Sequence, residues 1–287
     1  MQPCPLCKSS PVSKPYYSSR DWLVLSCSQC TYAWVVEFTK PLENTAFDWD
    51  MEVVEESEKR FPMYQDRLTR INKFRPNPAK WLDVGCGGGG MLRCAQENGY
   101  EVEGIELSES GRSIASRYGI PIHAHTLSES RNELQHKTYG VISYFHVLEH
   151  VLSPVSELME ARQLLGNRSL LVVEVPYFGT LSWKIFGPKH RHFFQEHRSY
   201  FNIKSLHTLL ELTGFTVLKT EKVPIYMSIG WTLMRLQSSL QINLNLIRKN
   251  LSRFICNGVI RCDLGDILMV IATKNSAKFE LTAPISK

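Results

Sequence analysis

Residues 81–90 read WLDVGCGGGG, four residues of buried-strand character running straight into glycines. A glycine run costs conformational entropy on folding, so a tight turn and a ligand that must approach the backbone have to offset it. The next residues, MLRCAQENG, read as a helix with Gly99 as its C-cap glycine. YEVEGIEL follows as a second strand and stops at Glu106. Strand, glycine loop, helix and a strand ending in an acid form the βαβ unit that takes nucleotide-like ligands. Its glycines let backbone N–H groups reach the ligand, and the helix N-terminus adds positive potential. The acid can accept two hydrogen bonds from ribose hydroxyls.

The first forty residues carry a different signal. Cys4 and Cys7 form CPLC, and Cys27 and Cys30 form CSQC. Two C-x2-C knuckles at this separation fit a zinc ribbon with a closed, structural S4 site; the competing reading is four free thiols. The segment between the knuckles suits a short hairpin, and so small a unit needs a staple to fold. Tyr16, Tyr17, Trp22, Tyr32 and Trp34 read as the ribbon's own core, with the ribbon a module outside the βαβ unit. Cys86, Cys94, Cys256 and Cys262 lack metal spacing and read as small core residues. The organisation expected is a ribbon over 1–40, a helical linker over 41–78, and a main domain over 79–274. A helical insertion interrupts that domain at about 225–262, and 275–287 is a tail.

The 287 residues suffice for one large domain plus a small module, and 43% hydrophobic content is that of a chain with a real core. The net charge of +5 is mild and spread along the chain, so nucleic acid is not an expected partner. MQPCPLCKSS shows no leader pattern, and no run approaches the roughly 18 apolar residues of a membrane span. A cytoplasmic protein is therefore expected.

The D-V-G-C-G-G-G loop, with an acid two residues before its first glycine, resembles the first motif of class I S-adenosylmethionine-dependent methyltransferases. The resemblance runs over roughly residues 78 to 222. YGVISYFHVLEHV is similar to the fourth strand and donor-facing loop of the subgroup with a V-L-E-H-V segment, which includes ubiquinone-pathway and saccharide or secondary-metabolite enzymes. Tyr139 and Gly140 stand where an aromatic residue and Asp are usual. EHRSYFNIKSLHTLLELTGF resembles the family's H-x-x-x-F-[ST]-x-x-S-L…G-F segment, with Asn202 in the Ser/Thr position. LLVVEVP reads as a fifth strand, and FTVLKTEKV and GDILMVIATK as the last two. The resemblance implies an α/β fold, a Rossmann-like, doubly wound seven-stranded sheet with helices on both faces. It implies S-adenosylmethionine held at its methionine end by Asp83, Gly85, Gly87 and Gly89 and at its ribose by Glu106. His146 would lie beside the sulfonium, and His125 to Leu127 beside the adenine. In the ubiquinone-pathway enzymes the V-L-E-H-V segment resembles a divalent-metal site. Glu149 and His150 match it, but His146 stands where a carboxylate is common, so a second metal is not expected.

The sulfonium makes the methyl electrophilic, so the protein must align the acceptor and, for a hydroxyl, remove its proton. Histidine suits that task because its pKa lies near working pH. His197 is the first candidate base, His192 the second, with His146 and His150 around Glu149 as the other group. A small-molecule acceptor is favoured, and a methyltransferase acting on RNA or protein through the ribbon is the alternative. Between the last two strands, Leu233, Leu236, Leu240, Leu244, Ile247, Leu251 and Phe254 form one helical stripe. It reads as a cover for the sheet or a homodimer contact, with a lid over the acceptor, or a peripheral membrane contact through 231–254, as the other readings.

Overall fold

The computed structural model describes residues 3–9, 15–19, 22–37, 59–74, 79–194, 196–230 and 258–275. The stripe from Leu233 to Phe254, Cys256, most of the linker and all of the tail after Asn275 lie outside the described residues.

The ribbon contributes β1 (Pro15–Ser18), β2 (Trp22–Ser26) and β3 (Ala33–Glu37). Helix α1 (Phe61–Asn72) follows, with a proline in its first turn and Arg67, Leu68 and Ile71 on its buried face. The expected βαβ unit is present as β4 (Lys80–Val84), α2 (Gly90–Glu97) and β5 (Glu101–Ile105). Helix α3 (Glu109–Ser116), capped by Ser108, leads to β6 (Ile122–His123). The short α4 (Arg131–Leu134) precedes β7 (Tyr139–Phe145). Helix α5 (Pro154–Leu164) starts as read, with the Ser153 hydroxyl accepting from Ser156 N–H and Pro154 in the first turn. Next come β8 (Leu165–Pro176), α6 (Leu181–Phe186), β9 (Ser199–Tyr200) and α7 (Ile203–Leu212). Asn202 caps α7 in a reciprocal box with Ser205, so Asn replaces Ser or Thr there without loss. β10 (Phe215–Lys222), β11 (Ile225–Ser228), β12 (Val259–Cys262) and β13 (Ile267–Lys274) complete the chain.

Seven strands form the central sheet in the order β10-β13-β8-β7-β4-β5-β6. β13 runs antiparallel to both neighbours, and the other pairings are parallel. The expected mixed α/β sheet is therefore the one observed. β8 reads as a near-continuous apolar run because both its faces are covered. Leu170 and Val172 pack toward α1 and α2, while Leu171 and Val173 pack toward α5 and α7. β11 pairs with β12, so the insertion leaves and returns as an antiparallel ribbon. Among the described residues no helix is long and apolar enough to cross a membrane.

The chain moves outward from β4 through β5 to β6, then returns to the other side of β4 as β7. The carboxyl ends of β4 and β7 thus border the crevice where open α/β sheets bind ligands. Gly85, with φ +69°, sits at that point, and a Cβ there would lie 2.4 Å from Cγ2 of Val147. The ring of Tyr64 in α1 covers Gly90 equally closely, at 2.5 Å from the added carbon.

The ribbon departs from the expected separate module. β3 pairs with β9, extending the ribbon into a four-stranded sheet. The ribbon aromatics pack outward onto the main domain: Tyr16 on Phe178 (4.9 Å between ring centres), Tyr17 and Trp22 on Phe193 (5.1 and 5.0 Å), and Tyr32 on Phe201 (5.4 Å). Three short strands have too little area between them to cover five aromatic rings, so Tyr32 and Trp34 join the domain's core, Tyr17 and Trp22 are half-covered by it, and Tyr16 stays exposed at its edge.

Gly85→Ala and Gly119→Ala separate close packing from backbone conformation. Both glycines have φ near +69°, but a Cβ at Gly119 meets nothing within 4 Å. Gly119→Ala should cost about 1–2 kcal/mol. Gly85→Ala should cost about 1–3 kcal/mol more, as an overpacked contact does. Urea unfolding midpoints of the two variants measure the difference.

Candidate active site

The glycine loop is fixed to the second strand. Gly85 and Cys86 N–H both donate to the Ile105 carbonyl (2.8 and 3.0 Å). Glu106 is buried, and its two oxygens accept from Gly87 N–H and Ser108 N–H, both at 2.7 Å. The acid expected to bind ribose therefore also shapes the loop, and each oxygen retains lone-pair capacity for a hydroxyl. Asp83 is buried one turn of the loop away and accepts from the Ser143 hydroxyl at 2.5 Å, which in turn accepts from Trp81 Nε1–H at 2.7 Å. Burial pushes the Asp83 carboxyl up to about 7, against the Ser143 hydrogen bond and with the Glu106 charge adding to the rise. His125 is exposed beyond β6, and Leu127 is buried in the core.

β7 ends at a strained residue. His146 has φ +57°, a conformation that costs about 1–3 kcal/mol outside glycine. Its N–H donates to the Glu174 carbonyl (2.9 Å). Its ring lies between two acids, Nδ1 3.5 Å from Glu149 Oε1 and Nε2 3.3 Å from Glu174 Oε1. Burial disfavours the imidazolium, but Glu149 and Glu174 outweigh it and hold the pKa up at about 9. His146 is accordingly a cation at neutral pH.

Glu174 and Arg67 escaped the sequence reading. Arg67 Nε and Nη2 reach the two Glu174 oxygens at 2.6 and 3.2 Å, and both side chains are almost wholly buried. Arg67 also donates to the Pro224 carbonyl (2.7 Å). Burial raises the Glu174 pKa, yet Arg67 and His146 bring it down to about 2. The available signal was a lone carboxylate in a strand buried on both faces, which has to be paired.

The remaining histidines converge beside Glu149. Glu149, His150 and His197 each offer a ligand atom within 4.8 Å of the others. His150 Nδ1–H donates to the Glu196 carbonyl (3.1 Å), and His197 Nδ1–H to the His192 carbonyl (3.0 Å). A carbonyl can only accept, so Nδ1 carries a proton in both rings. Burial lowers the His197 pKa to about 4, although Glu149 pulls it up. Burial also takes His192 down to about 2, with Arg191 adding to the effect. Glu149 is 1% exposed, and neither of its oxygens receives a hydrogen bond from a described residue. His190 stacks on Trp183 (4.1 Å, 18°) and meets the Ser182 hydroxyl at 3.1 Å, a packed position away from this group.

At the other end of the ribbon, Cys4, Cys7, Cys27 and Cys30 bring their sulfurs within 4.8 Å of one another. Cys4 and Cys30 Sγ are 3.7 Å apart, and Cys7 and Cys27 Sγ 3.6 Å. A tetrahedron with zinc–sulfur bonds of about 2.3 Å has edges of about 3.8 Å. The four thiols thus fit one zinc ion. Cys86 and Cys94 are buried in the core, as read.

The comparisons with known proteins agree with this geometry. A family model described as a methyltransferase domain matches residues 57–220. That is more than half of the chain, which belongs to this family. A ubiquinone biosynthesis O-methyltransferase from Aliivibrio fischeri is 26% identical over 113 residues, covering 36% of this chain and 48% of that enzyme. The corresponding protein from Hahella chejuensis is 32% identical over 96 residues, covering 31% and 40%. The matched regions thus span about half the length of these curated relatives or less. The structure of a SAM-dependent methyltransferase from Archaeoglobus fulgidus shares the fold with a TM-score of 0.54 at 19% identity, over 78% of this chain and 100% of that one.

Arg67→Met should destabilise the protein at neutral pH by up to about 3–5 kcal/mol, because it removes the closer partner of the buried Glu174 and leaves it only the His146 ring at 3.3 Å. Glu174 is held below its ordinary value, so its stabilising contribution is full above pH 4.5 and lost as pH falls through about 2. The variant should lose that acid dependence, and urea titrations at several pH values between 2 and 7 measure both effects.

Proposed function

We propose that this chain transfers a methyl group from S-adenosylmethionine to a small-molecule acceptor, a saccharide or another envelope or secondary metabolite. The observation that carries the reading is the contact of Gly85 with Val147, which sets the donor-type loop against the turn bearing His146, Glu149 and His150. Asp83, Gly85, Gly87 and Gly89 would face the methionine end of the donor and Glu106 its ribose. When bound, the sulfonium supplies an electrophilic methyl. The protein's share is alignment, worth roughly 7–11 kcal/mol, and proton removal, worth about 10²–10⁴-fold.

His197 is assigned to removing that proton, although burial holds its pKa at about 4 and makes it a weak base until Glu149 supports its charge. It is neutral near pH 7, its Nδ1–H is anchored on a carbonyl, and its Nε2 lone pair is free to accept. Glu149 beside it would stabilise the imidazolium that forms. His192 is the reserve base, while His146, already charged, is better suited to orienting the acceptor. A second reading of the same group is favoured by the buried Glu149, which among the described residues has the His146 ring at 3.5 Å but no close hydrogen bond to either oxygen. Glu149, His150 and His197 would together hold a divalent cation, which would acidify a bound hydroxyl. The Glu196 and His192 carbonyls, which accept from the two Nδ1–H groups, would hold both rings with Nε2 toward the ion. This modifies the expectation that no second metal binds.

Zn²⁺ in the ribbon would be structural, held by Cys4, Cys7, Cys27 and Cys30. The alternative of RNA or protein as acceptor has less support. A stacking platform needs several exposed aromatic faces; of the ribbon's rings only Tyr16 is exposed, while Trp22 packs on Phe193 and Tyr32 on Phe201.

Calorimetry should find binding of S-adenosylhomocysteine and none of NADH, and Glu106→Ala should weaken the former by about 1.5–3 kcal/mol. Binding of NADH alone would exclude the donor assignment. Metal analysis of protein purified without added zinc should find about one equivalent, retained in Glu149→Gln. His197→Ala should leave donor affinity unchanged and slow methyl transfer by about 10²–10⁴-fold. For a hydroxyl acceptor the residual rate should rise with pH. A wild-type rate that instead scales with added Mn²⁺ would select the cation reading of the same three residues.

A further inference from the structure

The segment bearing His192 and His197 has little secondary structure of its own between α6 and β9. The ribbon grips it at both ends. On one side Phe193 packs against Tyr17 and Trp22. On the other, Trp34 of β3 pairs with Ser199 and Ala33 with Tyr200, and Val35 N–H donates to the Arg198 carbonyl (3.0 Å). His197 lies between these two holds.

A continuous chain of short contacts links the second cysteine knuckle to Glu149. Thr31 N–H donates to the Cys27 carbonyl (3.0 Å), closing the knuckle, and Cys27 N–H donates to the Tyr32 carbonyl (2.8 Å). The buried Tyr32 hydroxyl lies 2.5 Å from the Ser199 hydroxyl. Ser199 N–H donates to the Glu149 carbonyl (3.0 Å). We propose that the zinc-binding knuckle is a positioning element of the acceptor site: through Tyr32 and Ser199 it sets where Glu149 and His197 stand. The ribbon then belongs to the catalytic unit, and Tyr32 is a positioning residue remote from the reacting atoms. The inference rests on the proposed methyl transfer only in calling this group the acceptor site.

The test uses the full chain labelled with ¹⁵N-histidine, compared zinc-loaded and zinc-stripped, and as Tyr32→Phe, which keeps the ring and the cysteines. Long-range proton–nitrogen correlation reports which ring nitrogen carries the proton. In the zinc-loaded protein His197 should be in the Nδ1–H form. In the stripped protein and in Tyr32→Phe it should pass to a mixture containing the Nε2–H form that free histidine prefers. Amide exchange at Ser199 should quicken about tenfold in both. S-adenosylhomocysteine affinity should hold, because the glycine loop touches none of these contacts. An unchanged His197 ring and unchanged Ser199 exchange in Tyr32→Phe would overturn the proposal, and that variant decides alone if the stripped protein precipitates. Absence of S-adenosylhomocysteine binding by the intact chain would instead overturn the donor reading, leaving the ribbon–histidine link to the same spectra.

Discussion

The site depends on one buried ion pair. Arg67 and Glu174 are each about 1% exposed, and removing two such charges from water costs several kcal/mol per ion. A well-packed apolar pair could replace them at no loss of stability, so stability alone does not account for them. Their geometry does more than offset that cost. Glu174 presents a carbonyl to His146 N–H and a carboxylate to its ring. Arg67 ties α1 to β8 and to Pro224, which keeps Tyr64 over Gly90. The cover of the glycine loop and the placement of His146 therefore share one anchor.

The same pair sets the charge balance. Arg67 and His146 carry positive charges in one connected group, against Asp66, Glu149 and Glu174. A further proton on His192 or His197 is disfavoured by burial and by His146, and both rings stay neutral. Neutral imidazoles are what proton removal requires and also what a metal requires. The two proposed roles meet at Glu149, whose oxygens have the His146 ring at 3.5 Å and no closer donor among the described residues. A newly formed imidazolium at His197 or a bound cation would each satisfy them.

How much of this was legible follows from the range of the interactions. The βαβ unit, both capped helices and the cysteine knuckles are local, and their residues announce them: Gly85 to Gly90, Ser153 with Pro154, Asn202 with Ser205, and the two C-x2-C pairs. That Glu149, His150 and His197 come together was legible because the first two lie in one short stretch and histidines crowd the segment of the third. Arg67 was missed because nothing local marks it. On an amphipathic helix an arginine four positions before Ile71 reads as a flank residue, and only β8 folding beneath it makes it a partner of Glu174. The outward packing of the ribbon was missed for a related reason: Tyr17 and Trp22 look like core residues, and sequence says that they are buried without saying against what.

Energetics explain why the ribbon is not self-contained. Its cysteines and Leu6, Tyr32 and Trp34 belong to the same apolar cluster as the α5 and α7 side of the main sheet. A metal ion supplies folding free energy only to the residues it constrains, and zinc on these four cysteines would constrain two knuckles separated by a hairpin. The aromatic faces of that hairpin would remain in water unless covered. Phe178, Phe193, Tyr200 and Phe201 cover them, and all four lie in the stretch after β8 that carries the histidines. Each partner thus lacks what the other provides: the ribbon needs an apolar floor, and the histidine segment, with only two residues of strand in it, needs a wall to be rigid against. Their mutual burial turns two marginal pieces into one ordered edge beside the ends of β7 and β8.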